Sequence, residues 1–152
     1  MRLSSMADYA VVTMSAAARH CGSAALVDAA GKKRARVSAG ELAEETGLPL
    51  PTVHKVVALL GKAGLLRSVR GAGGGLQLAR PAAAITLADI VEAVEGPIAL
   101  TSCVEEGRHD CALEASCSAR PHWGVVNQAM RGALAGIPLT QLAERQLVRA
   151  GQ

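Results

Sequence analysis

Four of the five residues from Gly71 to Gly75 are glycine. No helix survives such a run, because each glycine costs about 1 kcal/mol of backbone entropy relative to alanine. The run Arg70-Gly71-Ala72-Gly73-Gly74-Gly75 lies between two short apolar stretches, Leu65–Val69 and Leu76–Ala79. That layout predicts a β-hairpin with a glycine tip. The chain just before it is equally constrained. Ser38 with Glu41 three residues on is a capping box, which predicts a short helix over 39–46 ended by Gly47. In Leu48-Pro49-Leu50-Pro51 each proline biases its predecessor away from helix, and Pro51 suits the first position of a helix over 51–62 that Gly64 stops. Helix, tight turn, helix and hairpin together make a winged helix-turn-helix.

The remaining segments read as helical. Residues 5–20 lack Gly and Pro and carry Tyr9, Val12, Ala16 and Ala17 at helical spacing, while 22–37 reads as a loop. Thr86 caps a helix over 87–95 that Gly96-Pro97 ends. Residues 98–120 show no period and hold three of the four cysteines. A long helix is expected from Pro121 to Ala135, with Val126, Met130 and Leu134 along one stripe, and a short one from Leu139 to Arg149 after Pro138. The fold class is mainly α with a small β-hairpin. Residues 1–85 form the winged helix-turn-helix domain, and 86–152 the cysteine loop and long C-terminal helix.

Composition narrows the partners. Half the chain is apolar, but Phe is absent and Tyr9 and Trp123 are the only aromatics. Single-stranded nucleic acid is thereby disfavoured, since there are almost no rings for bases to stack on. No apolar run is long enough to span a bilayer, and Met1-Arg2-Leu3-Ser4-Ser5-Met6-Ala7-Asp8 lacks a signal-peptide pattern. A cytoplasmic location without a membrane partner is expected. Residues 32–80 hold nine basic side chains (Lys32, Lys33, Arg34, Arg36, Lys55, Lys62, Arg67, Arg70 and Arg80) against three acidic ones, a net +6 in a chain whose total is +3. A concentrated positive surface of this kind suits a phosphate backbone; a solvated basic loop near Lys32–Arg36 is the plain alternative.

On the second helix of the motif, Val53, Val56, Val57 and Leu60 form an apolar docking face, leaving Thr52, His54 and Lys55 near the N-terminal end on the other side. That end of a recognition helix reaches base edges in the major groove of double-stranded DNA. Lys55 is suited to phosphate or guanine and Thr52 to phosphate or a thymine methyl. Arg67 and Arg70 flank the glycine tip, where Gly73 and Gly74 let backbone amides approach phosphates while a basic side chain enters the minor groove. A nucleotide-binding loop is disfavoured, because no Lys-Ser/Thr follows the glycines.

Cys103, Cys111 and Cys117 are separated by seven and then five residues. In a reducing cytosol this crowding points to metal rather than disulfides. The spacing lacks the Cys-x-x-Cys knuckle of a zinc ribbon, and a loop of this length can wrap one face of an iron–sulfur cluster. Zinc and thiol-switch chemistry stay open at this point. Ser102, Ser116 and Ser118 are placed to hydrogen-bond cluster sulfur. Cys21 stands alone and reads as a buried or idle thiol; Met6, Met14 and Met130 read as core.

The chain resembles the IscR/NsrR-type winged-helix transcription regulators, many of which sense iron–sulfur clusters. The resemblance runs from Met1-Arg2-Leu3 and Asp8-Tyr9-Ala10-Val11 to Leu139-Thr140-Gln141-Leu142-Ala143. Gly64-Leu65-Leu66 with Val69-Arg70-Gly71-Ala72-Gly73-Gly74-Gly75, which looks like the family's wing, is its most specific stretch. Leu48-Pro49-Leu50-Pro51-Thr52-Val53 and His122-Trp123 look closest to regulators of the SUF cluster-assembly operon. The resemblance implies a repressor carrying a 2Fe–2S or 4Fe–4S cluster, a homodimer joined through a long C-terminal dimerisation helix, and a pseudo-palindromic operator. Leu76 replaces a tyrosine common after the wing glycines. His54 stands where some members carry glutamate, so no operator sequence is carried over.

The resemblance also bears on the fourth cluster ligand. In one branch a histidine follows the last cysteine by three residues, but here that position is Arg120. In the nitric-oxide-sensing branch an aspartate of the first helix reaches the partner's cluster, and Asp8 occupies that position. Asp8 also reads simply as an early-helix acid stabilised by the helix dipole. His109, Asp110 and His122 are the other candidates.

Overall fold

The computed structural model describes residues 2–21, 35–104 and 110–144. Residues 22–34 of the loop expected over 22–37, including Lys32, Lys33 and Arg34, lie outside the described residues, as do His109 and everything after Glu144. Six α-helices, two short 3-10 turns (Ala82–Ala84 and Ser102–Val104) and one two-stranded sheet make up the regular structure of the described residues: α1 Ser5–Cys21, α2 Ala39–Thr46, α3 Leu50–Lys62, β1 Leu66–Val69, β2 Gly75–Leu78, α4 Leu87–Glu95, α5 Arg120–Ala135 and α6 Leu139–Ala143.

Local chemistry sets these boundaries. Ser38 accepts from the Glu41 amide at 3.1 Å while the Glu41 carboxylate accepts from the Ser38 amide at 2.8 Å, closing the expected capping box. Gly47 ends α2 at φ 72°, a left-handed cap that glycine adopts without the Cβ penalty. Pro49 caps α3 and Pro51 sits in its first turn, where a missing N–H costs nothing. Thr86 caps α4 in a second capping box with Asp89, a pairing that extends the simple cap expected from sequence.

The core lies where α1 meets α2, α3, α4 and α6. Met14, Leu42, Leu60, Leu65, Ile85, Ile90 and Leu139 are fully buried there. Burying each such side chain contributes about 1.5–3 kcal/mol. On α3, Val53, Val56 and Leu60 are buried and Val57 is half-buried, as the apolar face required. The α1 stripe differs from expectation. Val12 is exposed, whereas Ala16 and Ala17 are buried as expected and join Ala7, Ala10, Met14 and Ala18 in a mostly alanine face that allows neighbouring helices close approach. Of the three methionines read as core, Met14 is fully buried, whereas Met6 and Met130 are half-buried.

β1 and β2 pair antiparallel from Leu66↔Leu78 to Val69↔Gly75. Val37 adds an edge on the far side of β2, exchanging N–H···O bonds of 3.1 and 2.8 Å with Leu76. The chain before α2 thus braces the hairpin. A second bridge ties the start of α4 to that of α6: Leu87 N–H donates to Ile137 O at 2.8 Å and Leu139 N–H to Ile85 O at 2.7 Å. No described helix is long and apolar enough to cross a membrane.

Candidate nucleic-acid interface and metal centre

The side chains singled out for DNA contact all lie on α3 and the hairpin. His54 and Lys55 are exposed near the start of α3, and Thr52 is half-buried. The Val53–Leu60 face that anchors α3 in the core dictates that outward display. Arg67 and Arg70 are exposed on and just after β1, which packs against α3. Arg67 Nε donates to Gln77 Oε1 at 3.2 Å across the register pair Arg67↔Gln77. At the tip Gly74 N–H donates to Gly71 O at 2.8 Å. A Cβ on Gly74 would lie 2.5 Å from Val69 O and 2.8 Å from Gly71 O, so no larger residue fits the turn as it stands. Arg36, which sequence reasoning counted only within the basic loop, sends Nη1 to Gly73 O at 2.8 Å.

The three clustered cysteines are free thiols on the segment between α4 and α5; Cys103 and Cys117 are half-buried and Cys111 exposed. Cys103 lines an open hollow of about 620 Å³ together with Arg120, Pro121, Gly124 and Asn127 from α5. Its Sγ lies 3.2 Å from Thr101 Oγ1. Among the described residues the hydroxyl that meets a cysteine sulfur is Thr101. The signal was a hydroxyl two residues before Cys103, one position farther than the serines named. Cys111 O and Cys117 O accept from the Glu114 and Arg120 amides at 3.1 and 3.3 Å, folding the segment into turns that run into α5.

Asn127 fixes the start of that segment, accepting from Leu100 N–H and donating to Ile98 O, each at 2.9 Å. Arg131 grips Glu92 of α4 through two hydrogen bonds of 2.8 and 3.0 Å. Among the described residues no three His, Cys, Asp or Glu side chains gather closely enough to hold a metal ion. Asp8 is exposed on the first turns of α1, His122 on the first turn of α5, and Asp110 just before Cys111. In chemistry the donor set suits iron: three thiols uncommitted to disulfides, on turns rather than in the core. Cys21 differs, since burial pushes its thiol up, and it donates a long 3.7 Å hydrogen bond to Leu76 O.

α5 contributes no buried residue. Trp123, Val125 and Val126 are exposed along it, and Leu113 lies exposed on the preceding turns. Of the expected stripe, Val126 is exposed, while Met130 and Leu134 are half-buried.

Comparison with known proteins agrees with this architecture. Residues 3–145 match the Rrf2 family, described as an iron-dependent transcriptional regulator. Protein aau3 of Rhizobium meliloti is 36% identical over 134 residues, covering 88% of this chain and 75% of that protein. The HTH-type transcriptional regulator IscR of Photorhabdus laumondii is 30% identical over 148 residues, covering 97% and 82%. Among solved structures, CymR, the global cysteine regulator of B. subtilis, superposes with a TM-score of 0.67 at 26% identity, covering 94% of this chain and 96% of that one. IscR and CymR are regulators rather than enzymes. With its helix-turn-helix, braced hairpin and exposed C-terminal helix, this chain belongs to the Rrf2 family of DNA-binding transcription regulators.

Proposed function

We propose that this chain is a cytoplasmic, homodimeric repressor that reads a pseudo-palindromic operator and holds an iron–sulfur cluster, 2Fe–2S or 4Fe–4S, to control cluster-assembly genes. One observation carries the reading: three free thiols lie between α4 and α5, two of them on the turns that run into α5, a helix with no buried residue. A sensing loop is thereby joined to the surface that a second subunit would cover.

In this reading residues 1–85 contact DNA and 86–152 sense and dimerise. Cys103, Cys111 and Cys117 supply thiolates, and Asp8 of the partner subunit supplies an oxygen; Asp110, His109 and His122 are the other candidates for that place. When bound, the cluster supplies a redox-active and labile centre, and an oxygen ligand that grips iron less tightly than thiolate suits a sensor. Thr101 orients its hydroxyl on the Cys103 sulfur. Asn127 and Arg131 hold the segment and α4 onto α5, so a change in the loop shifts α5 relative to the winged domain. Thr52, His54 and Lys55 read the major groove, while Arg67, Arg70, Gly73 and Gly74 meet the backbone and minor groove.

The test is anaerobic purification with iron and acid-labile sulfide assays, then DNA affinity of empty and loaded protein at one salt concentration. A difference of about 1–3 kcal/mol between the two forms is expected. Equal affinities would end the sensing role, and a colourless protein that resists reconstitution would end the cluster.

A zinc or thiol-switch regulator is the second reading. It is favoured by the similarity to CymR. Stoichiometric zinc, or reversible oxidation without iron, would establish it.

A further inference from the structure

The glycine tip of the wing is held by a residue outside the hairpin. Arg36 precedes Val37, whose two backbone bonds to Leu76 fix the start of the Arg36 side chain against β2. From there its guanidinium reaches the tip and donates Nη1–H to Gly73 O at 2.8 Å. Among the described residues Arg36 makes no ion pair with a carboxylate, so this carbonyl is its structural partner. A charged donor on a backbone carbonyl is stronger than a neutral one. A glycine-rich tip otherwise pays a large ordering entropy on meeting DNA.

We infer that Arg36 is a positioning residue for DNA recognition, clamping Gly73 so that the wing is already shaped before it enters the minor groove. The inference rests on the reading that the wing contacts DNA. Arg36 acts through Gly73 and leaves phosphate contact to Arg70.

The probe is a duplex selected from a random-sequence pool on the wild-type protein, made with A·T-rich and with G·C-rich flanks. Arg36→Ala is expected to lose roughly three- to tenfold in affinity for the preferred flank. Discrimination inside the half-site, which belongs to α3, should persist, as should the slope of affinity against salt. Arg36→Lys, whose ammonium can reach the same carbonyl, should restore most of the loss. In the free Arg36→Ala protein the Gly74 amide, which bonds to Gly71 O, should exchange faster with solvent.

Arg70→Ala tests the underlying reading separately: if it changes neither flank preference nor salt slope, the wing does not contact DNA. If Arg70→Ala changes them and Arg36→Ala binds as wild type, the clamp is refuted. A fall in salt slope of about one per subunit in Arg36→Ala would also refute it, by making Arg36 a phosphate contact in its own right.

Discussion

The Arg19 guanidinium meets the Glu45 carboxylate at 2.7 Å, and His20 Nε2 reaches the other oxygen of that carboxylate at 2.6 Å. The last turn of α1 is thereby locked to the last turn of α2, the first helix of the DNA-binding motif. Both partners of the Arg19–Glu45 pair are less than a third exposed, so the pair outranks an ordinary surface ion pair.

That relationship makes stability depend on pH. Burial resists ionisation of Glu45, but hydrogen bonds and charge from Arg19 and His20 outweigh it and hold its carboxyl below the usual range. As pH falls, the unfolded chain takes up the proton first. The pair's contribution is therefore whole above the ordinary carboxylate range and disappears as pH drops through the lowered folded value. Urea melts should show Glu45→Gln less stable by about 1 kcal/mol at pH 7. The gap from wild type should close toward pH 3. A gap independent of pH would mean that packing, not charge, holds the helices together.

Gly74 is the residue of the wing least able to change. Its missing Cβ would fall 2.5 Å from the Val69 carbonyl, which is backbone and cannot swing aside. Gly74→Ala must open the turn, yet the tip is exposed and Gly74 is not part of the buried core. DNA affinity should fall by about tenfold or more, a loss of about 1.4 kcal/mol, with the melting temperature nearly unchanged. Fluorescence anisotropy beside a thermal melt checks both.

Much of the winged domain was legible because its punctuation is chemical: Ser38 with Glu41, Gly47, Pro49 with Pro51, and the glycine tip each specify a backbone state locally. The Val37 edge was not, since a single bridging residue has no period to read. Val12 was misplaced because hydrophobicity favoured it over alanine, although it lies one turn after exposed Asp8 on the same side of α1. Close helix contact selected the alanine face instead. At the cysteine loop the sequence showed that three thiols share one segment between α4 and α5. It could not show their approach, because the spacing of Cys103, Cys111 and Cys117 sets reach rather than geometry, and ligation energy lies outside the polypeptide.

Lys55 and Arg70 on one hand, and His54 on the other, should separate two kinds of contact. Both cations are exposed, one near the start of α3 and one at the wing. Alanine at either position should weaken binding across sequences and lower the salt slope by about one for each phosphate left unneutralised. His54→Ala, by contrast, should change which bases are preferred with less effect on the slope. Titrations at three or more salt concentrations, on the selected duplex and on a scrambled one, distinguish them. A His54 variant with unaltered preference would remove that side chain from base reading.

Cys111 is exposed and contributes nothing to the core. Cys111→Ser should leave the helical circular dichroism and the melting temperature of metal-free protein intact, while abolishing or destabilising the visible absorption of reconstituted material. Retention of a full-strength cluster spectrum would show that the ligand set is wrong. The same variant with unchanged zinc content would also count against the second reading.

The exposed side of α5 predicts the oligomer. Val126 is 45% exposed and Val125 70%, and the helix buries none of its residues within the subunit. A charge placed here therefore meets no core of its own chain, whereas in a helix-to-helix interface it would be desolvated without a partner, a cost of several kcal/mol. Val126→Glu should convert a dimer into a folded monomer at micromolar concentration, seen by sedimentation with unchanged helical content. Because a pseudo-palindromic operator requires two recognition helices at fixed separation, the monomer should also lose its dependence on half-site spacing. A Val126→Glu protein that still sediments as a dimer would move the interface off this stripe, and with it the route by which the cysteine loop influences DNA.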